Sequence, residues 1–251
     1  MRKFESMSYL FIMILGLGTA NPAWTQWSVD LEGGKAWARY NDVRVPKASG
    51  SPFSLTDDLD AESPLFFRIR IGYTTGSRHH LVLFAAPFTL KAQGLVKEDV
   101  WFNQEKFPAG VPLDASYTFN SYRATYRYDL IRRGNWTVGI GFTAKIRDAA
   151  IRLEGGGKAT EKANVGFVPL LNFWVQWDAG ARWSLVFEGD ALASPGGQGR
   201  AEDVFLGGLY RISEHVTIKA GYRLLEGGAD VEEVYNFAWI NYLAIGTVLS
   251  F

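Results

Sequence analysis

The end of the chain leaves few architectures open. From Tyr235 to Phe251, one set of alternate positions carries Tyr235, Phe237, Trp239, Leu243, Ile245, Leu249 and Phe251. The other set carries Asn236, Ala238, Ala244, Gly246 and Ser250, with Ile240, Tyr242 and Val248 among them. Successive side chains of a strand point to opposite faces, so this stretch is a long strand with one strongly apolar face and one of small or mixed residues. The apolar face needs either lipid or a covering layer of protein, and no other part of the chain supplies such a layer.

The same period recurs about ten times, separated by turn signals. The predicted strands are Trp27 to Val45, Pro64 to Thr74, His79 to Ala92, Leu113 to Leu130, Trp136 to Leu153, Val165 to Trp177, Arg182 to Ser194, Ala201 to Ile212, Val216 to Leu225 and the terminal stretch. Trp136 to Arg147 is the clearest, with Trp136, Val138, Ile140, Phe142, Ala144 and Ile146 alternating with Thr137, Gly139, Gly141, Thr143, Lys145 and Arg147. Gly33-Gly34 is read as a bulge or bend in the first strand. Pro87 lacks a ladder donor and must interrupt the third.

Short connections follow strands two, four, six and eight. Longer ones follow strands one, three, five, seven and nine, including 155–164 and 226–233. Within the second long segment, Val100, Trp101, Phe102 and Phe107 are expected to fold over the barrel mouth or meet lipid headgroups.

The amino terminus has the form of an export signal. Arg2 and Lys3 precede an apolar run from Tyr9 to Leu17, and Gly18-Thr19-Ala20 offers small residues to a signal peptidase. The run falls short of the roughly 20 apolar residues of a spanning helix. We expect a leader over residues 1–20, cleaved after Ala20 or Ala23, and one barrel domain over residues 27–251. With 26 basic and 26 acidic residues the chain has no net charge and gives no support to a nucleic-acid partner. Cysteine is absent, so disulfides and thiolate metal sites are excluded.

Taken together, the signal, the alternation, the short and long connections and the terminal Phe251 resemble those of the small bacterial outer-membrane β-barrel proteins. The resemblance implies a closed, antiparallel, up-and-down transmembrane β-barrel of ten strands, with eight as the alternative count. It also implies both mature termini in the periplasm, and contact with outer-membrane lipid and lipopolysaccharide. Leu243, Ile245, Leu249 and Phe251 look like the signature that the outer-membrane insertion machinery reads. No cofactor or metal is expected.

A barrel also fixes where charge can lie. An Arg or Lys facing lipid at mid-depth costs about 2 to 4 kcal/mol, so Asp30, Glu32, Arg68, Arg70, Arg123, Arg127, Lys145, Arg147, Glu188, Asp190, Lys219 and Arg223 are expected to line the lumen. Asp30 and Arg70 should pair on neighbouring strands, and Glu188 and Asp190 should reach towards Arg68 and Arg70. Such a network plugs the lumen; its functional alternative is a narrow path favouring anions. Enzymatic small barrels, as the resemblance implies, use a histidine towards the outer side. Here His79, His80 and His215 all flank short turns. The acidic run from Leu55 to Glu62 lacks the spacing of a calcium loop and reads as solvated. The expected function is therefore a non-enzymatic structural or interaction role through the outer loops, towards an unidentified ligand. A narrow channel, a lipid-modifying enzyme and a soluble ligand-binding barrel follow in that order.

Overall fold

The computed structural model describes residues 25–194 and 196–251; the expected leader and Pro195 lie outside the described residues. Ten antiparallel strands follow one another around a closed barrel. They are β1 (Thr25–Arg44), β2 (Leu65–Thr75), β3 (His79–Ala86, resuming as Thr89–Leu95), β4 (Pro112–Arg133), β5 (Trp136–Gly155), β6 (Lys158–Asp178), β7 (Trp183–Ala193), β8 (Gly199–Arg211), β9 (Val216–Val231) and β10 (Val234–Ser250). The ring closes between β1 and β10, from Ser28 opposite Ser250 to Arg44 opposite Tyr235. Phe251 extends this seam: its N–H donates to Trp27 O at 2.9 Å, and Trp27 N–H donates to Phe251 O at 3.2 Å. Closure pairs the first strand with the last and so removes that edge, which is how a barrel avoids unsatisfied backbone in lipid.

The alternation sets the two faces. Phe67, Leu83, Phe142, Leu206, Leu243 and Ile245 stand exposed on the outside, whereas Ala238, Ile240, Tyr242 and Ala244 of β10 are buried inside. At the short-turn end the apolar belt finishes in paired aromatic rings. Trp27 meets Tyr73 at 4.9 Å, Trp136 meets Trp177 at 6.3 Å and Trp183 meets Tyr210 at 4.6 Å. Such rings suit a membrane–water interface, where an apolar body and a polar tip are both accommodated.

Three local readings are corrected. The predicted loops 155–164 and 226–233 are largely strand. Gly156 and Gly157 adopt positive φ of 58° and 76°, the geometry of a two-residue hairpin turn, so β6 pairs with β5 from Lys158 opposite Gly155 onwards. β9 likewise runs to Val231, with Gly227-Gly228 inside the ladder. Only two of the five connections at that end are therefore long.

Gly33-Gly34 is not the bulge; the register of β1 shifts between Ala38 and Tyr40. Gly34 instead has φ of 151°, and a Cβ there would lie 2.0 Å from Leu243 O, so β10 approaches too closely for a side chain. Pro87 does interrupt β3, and the neighbouring Phe88 N–H donates to Asn120 Oδ1 at 3.2 Å.

The two long loops fold inward. Residues 45–64 contribute Val45, Phe53, Leu55 and Leu59 to an apolar cluster, so the acidic run from Leu55 to Glu62 is solvated on one side only. Residues 96–111 form a hairpin, Val100–Phe102 with Glu105–Phe107. It buries Val100, Phe102 and Phe107 over the mouth and leaves Trp101 exposed. Backbone hydrogen bonds Ser51 N–H to Trp101 O (2.8 Å) and Asn103 N–H to Val45 O (2.9 Å) tie the two loops together.

Candidate functional site

Below this plug, inward-pointing positions of β1, β2, β4, β7, β8 and β9 bring ten charged side chains into one connected network at the middle of the barrel. Glu32 accepts from Lys219 Nζ at 2.7 Å and from Arg223 Nε at 2.9 Å. Arg223 also reaches Asp203 at 2.8 Å and Glu188 at 3.0 Å. Arg68 holds Asp203 at 2.6 Å, and Arg123 bridges Asp203 at 2.5 Å and Asp190 at 2.7 Å. Arg70 joins Asp30 at 2.9 Å to Glu188 at 3.3 Å, and Lys219 reaches Asp30 at 2.7 Å. Five carboxylates thus meet five cations, and the network is electrically neutral.

Neutrality matters because each of these groups has left bulk water. Burying one charge without its partner costs several kcal/mol, while a fully hydrogen-bonded set offsets the loss. Aromatic faces complete the packing: Arg68 lies 5.2 Å from the Phe84 ring and 5.4 Å from that of Tyr242. Phe66 and Phe88 close on Tyr242 at 4.8 and 5.7 Å, forming an apolar floor between the network and the loop plug.

Nine of the twelve residues read from the sequence belong to this network. Arg127, Lys145 and Arg147 do not. Arg127 lies 3.5 Å from Asp129 and stacks 4.3 Å over Trp174, nearer the short turns. Lys145 rests 4.6 Å over the Phe119 ring, and Arg147 bonds to Asn164. Glu188 reaches Arg70 as expected, but Asp190 reaches neither β2 arginine; Arg123 and the Thr143 hydroxyl, at 2.6 Å, take it instead. Asp203 is the residue that sequence reasoning missed. It contacts three arginines, and its place on the inward face follows from the outward Val204 and Leu206 beside it.

The network is flanked by two openings. On the short-turn side lies a cavity of about 180 Å³, whose lining includes Arg70, His80, Arg127, Asn172, Trp174 and Glu188. At the long-loop end a groove of about 560 Å³ runs past Asp42, Arg44, Lys47, Asp57, Asp58 and Asp230, with Lys47 and Asp230 in an ion pair. Near this end the Tyr40 hydroxyl donates to Glu226 at 2.5 Å, and Arg200 clamps the same carboxylate with two bonds. In the hairpin loop, Lys106 and the Ala109 N–H hold the Asp99 carboxyl below its ordinary value.

The histidines sit at the short-turn end. His79 meets Tyr126 OH at 2.8 Å, His80 bridges Thr74 and Asp129, and His215 meets Ser250 O at 2.9 Å. Among the described residues no group of three or more His, Asp and Glu side chains is arranged to hold a metal ion.

No family model matches the sequence, and no curated protein sequence matches it. Among solved structures, the chain is similar to the outer membrane protease OmpT from Escherichia coli, with 9% identity and a TM-score of 0.56, covering 90% of this chain and 97% of that one. The attachment invasion locus protein Ail of Yersinia pestis, solved with the heparin analogue sucrose octasulfate, aligns at 11% identity and a TM-score of 0.40, covering 90% and 99%. The first likeness establishes the fold, that of a bacterial outer-membrane β-barrel.

Proposed function

We propose that this chain is a non-enzymatic outer-membrane barrel with a closed lumen, acting as a structural or interaction protein through the surface built by its long loops. The observation that carries this reading is the double closure of the interior. A neutral ten-member charge network fills the middle, and an apolar plug of residues from both long loops covers it. Barrels of about eight strands are filled by side chains, whereas those of sixteen or more leave an aqueous channel. In this reading the leader over residues 1–20 is removed after Ala20 or Ala23. The termini and short turns are periplasmic, and lipopolysaccharide surrounds the long-loop end. The placement of all three histidines at the short-turn end supports a non-enzymatic role, because the usual general base is then absent from the outer rim.

In planar bilayers the purified protein is expected to be electrically silent while keeping the heat-dependent gel shift of a closed barrel. Stable, ion-selective current steps from folded protein would overturn the closed-lumen reading in favour of a narrow channel. Extraction from washed membranes without detergent would overturn the membrane assignment itself. The seam gives a separate expectation. Deleting Phe251, or making Phe251→Asp, should lower the inserted fraction in cells, with Leu243, Ile245 and Leu249 left to carry the assembly signal. Wild-type insertion of both variants, measured in membrane fractions, would remove that role from the terminus.

A further inference from the structure

Among the described residues, the barrel wall at the long-loop end is incomplete between β6 and β7. The two strands pair from Leu171 opposite Ala191 to Asp178 opposite Ser184, and β7 stops at Ala193. β6 continues from Leu170 to Lys158 with β5 as its strand neighbour on one side only. Its odd-numbered residues turn their backbone groups away from β5. Glu161 O accepts from Asn103 Nδ2 at 2.8 Å, and Ala179 N–H donates to Trp183 O at 2.9 Å, whereas Asp178 N–H turns the other way, to Asn135 O. Ala163, Val165 and Phe167 therefore present their N–H and C=O groups along the gap. Pro169 stands on the same edge, where its missing donor costs nothing and discourages pairing with a foreign strand.

The height of this edge is informative. Val165 and Phe167 are exposed on the outside, level with the upper limit of the apolar belt; on β5 the outward Ile146, opposite Phe167, is followed by Asp148, opposite Val165. Backbone donors at this depth need a partner from water or a headgroup. Behind the edge, the inner wall carries three cations, Lys145, Arg147 and Lys162. Lys162 faces inward because it pairs with the buried Ile151. Arg147 Nε is buried without a partner, and among the described residues none of the three forms a salt bridge. By contrast, each fully buried carboxylate, Glu32, Asp129, Asp190, Asp203 and Glu226, has a cationic partner. Among the described residues the three cations beside the open wall have none.

We propose that the gap between β6 and β7 is a docking site for a phosphate of an outer-leaflet lipid headgroup. Arg147 and Lys162 bind it from inside the barrel, and the N–H groups of Val165 and Phe167, which have no partner among the described residues, bind it from the edge. The charge complementarity, the lateral opening and the position at the top of the apolar belt together select a membrane-bound anion over one arriving from solution. The inference rests on the outer-membrane reading above.

The test uses the full mature protein in a zwitterionic detergent, with bound lipid counted by native mass spectrometry. The probes are diphosphoryl lipid A, the same lipid stripped of both phosphates, and inorganic phosphate. One diphosphoryl lipid should be retained per barrel. Its apparent affinity should fall about tenfold or more in Arg147→Gln/Lys162→Gln, the loss of two charge-assisted bonds. It should recover in Arg147→Lys/Lys162→Arg and stay unchanged in Arg152→Gln, whose side chain points outward to Glu154.

Equal retention of the dephosphorylated lipid, an unaltered affinity in the double variant, or occupancy by inorganic phosphate to the exclusion of lipid would each overturn the proposal. Should the double variant misfold, Lys162→Gln alone, at a half-buried position, is expected to lose a smaller but measurable part of the affinity, and no loss overturns the site. A barrel with its heat-dependent shift intact but no lipid effect fails this inference alone. A wild-type chain without that shift fails the membrane reading instead.

Discussion

Replacing Arg223 by methionine is expected to lower the unfolding free energy of the detergent-folded barrel by about 3–5 kcal/mol. Arg223 is fully buried and serves Glu32, Asp203 and Glu188 together. Its removal leaves three carboxylates each short of one cationic partner, in a region that water reaches poorly. The matched control is Lys145→Met. That side chain is as deeply buried but forms no salt bridge among the described residues, so the change removes a desolvated charge and should be neutral or stabilising. Urea or guanidinium midpoints, read by tryptophan fluorescence or gel shift, separate the two. Equal destabilisation by both would mean that side-chain volume, and not charge pairing, governs the middle of the barrel.

The second large effect lies in the plug. Phe107 and Phe102 anchor the 96–111 hairpin among Leu90, Leu113 and Leu153, all of them buried. Cutting Phe107 to alanine should cost about 3–5 kcal/mol. Because the hairpin pairs with no barrel strand, the cost falls on local opening. Trypsin should then cleave after Lys97 or Lys106 about a hundredfold faster or more, while the ten strands resist as before. Cleavage at the wild-type rate would show that the backbone bonds between the two loops, and not the phenyl rings, hold the cover in place.

How much of this was legible in the sequence depended on whether one strand or several decided the outcome. Strand number, the inward and outward faces and the membership of Asp30, Glu32, Arg68 and Arg223 in a lumen followed from alternation, which is local and cheap to read. Hairpin ends were harder. Gly155 to Gly157 looked like a flexible tip, yet two glycines with positive φ make the tightest available reversal and let both arms continue as strand. Partner choice was not legible. Arg68 was expected to meet Glu188 or Asp190, but Asp203, on the following strand, takes it, because which carboxylate an arginine reaches depends on shear around the ring. The inward fold of Leu55, Leu59, Phe102 and Phe107 also needed the structure, since an apolar loop residue can meet lipid or core equally well on paper.

The seam between β1 and β10 has a kinetic meaning. Its partners, such as Ser28 with Ser250, lie further apart along the chain than those of any other strand pair, while the remaining neighbours are joined by hairpins or single loops. Contacts between distant residues repay their entropy late and slow folding. The barrel should therefore assemble as a curling sheet that carries two open edges until its last step, with the Trp27 and Phe251 backbones as the final clasp. Up to that moment each edge is a template for a foreign strand, so the speed of clasping sets how long the chain stays vulnerable to aggregation.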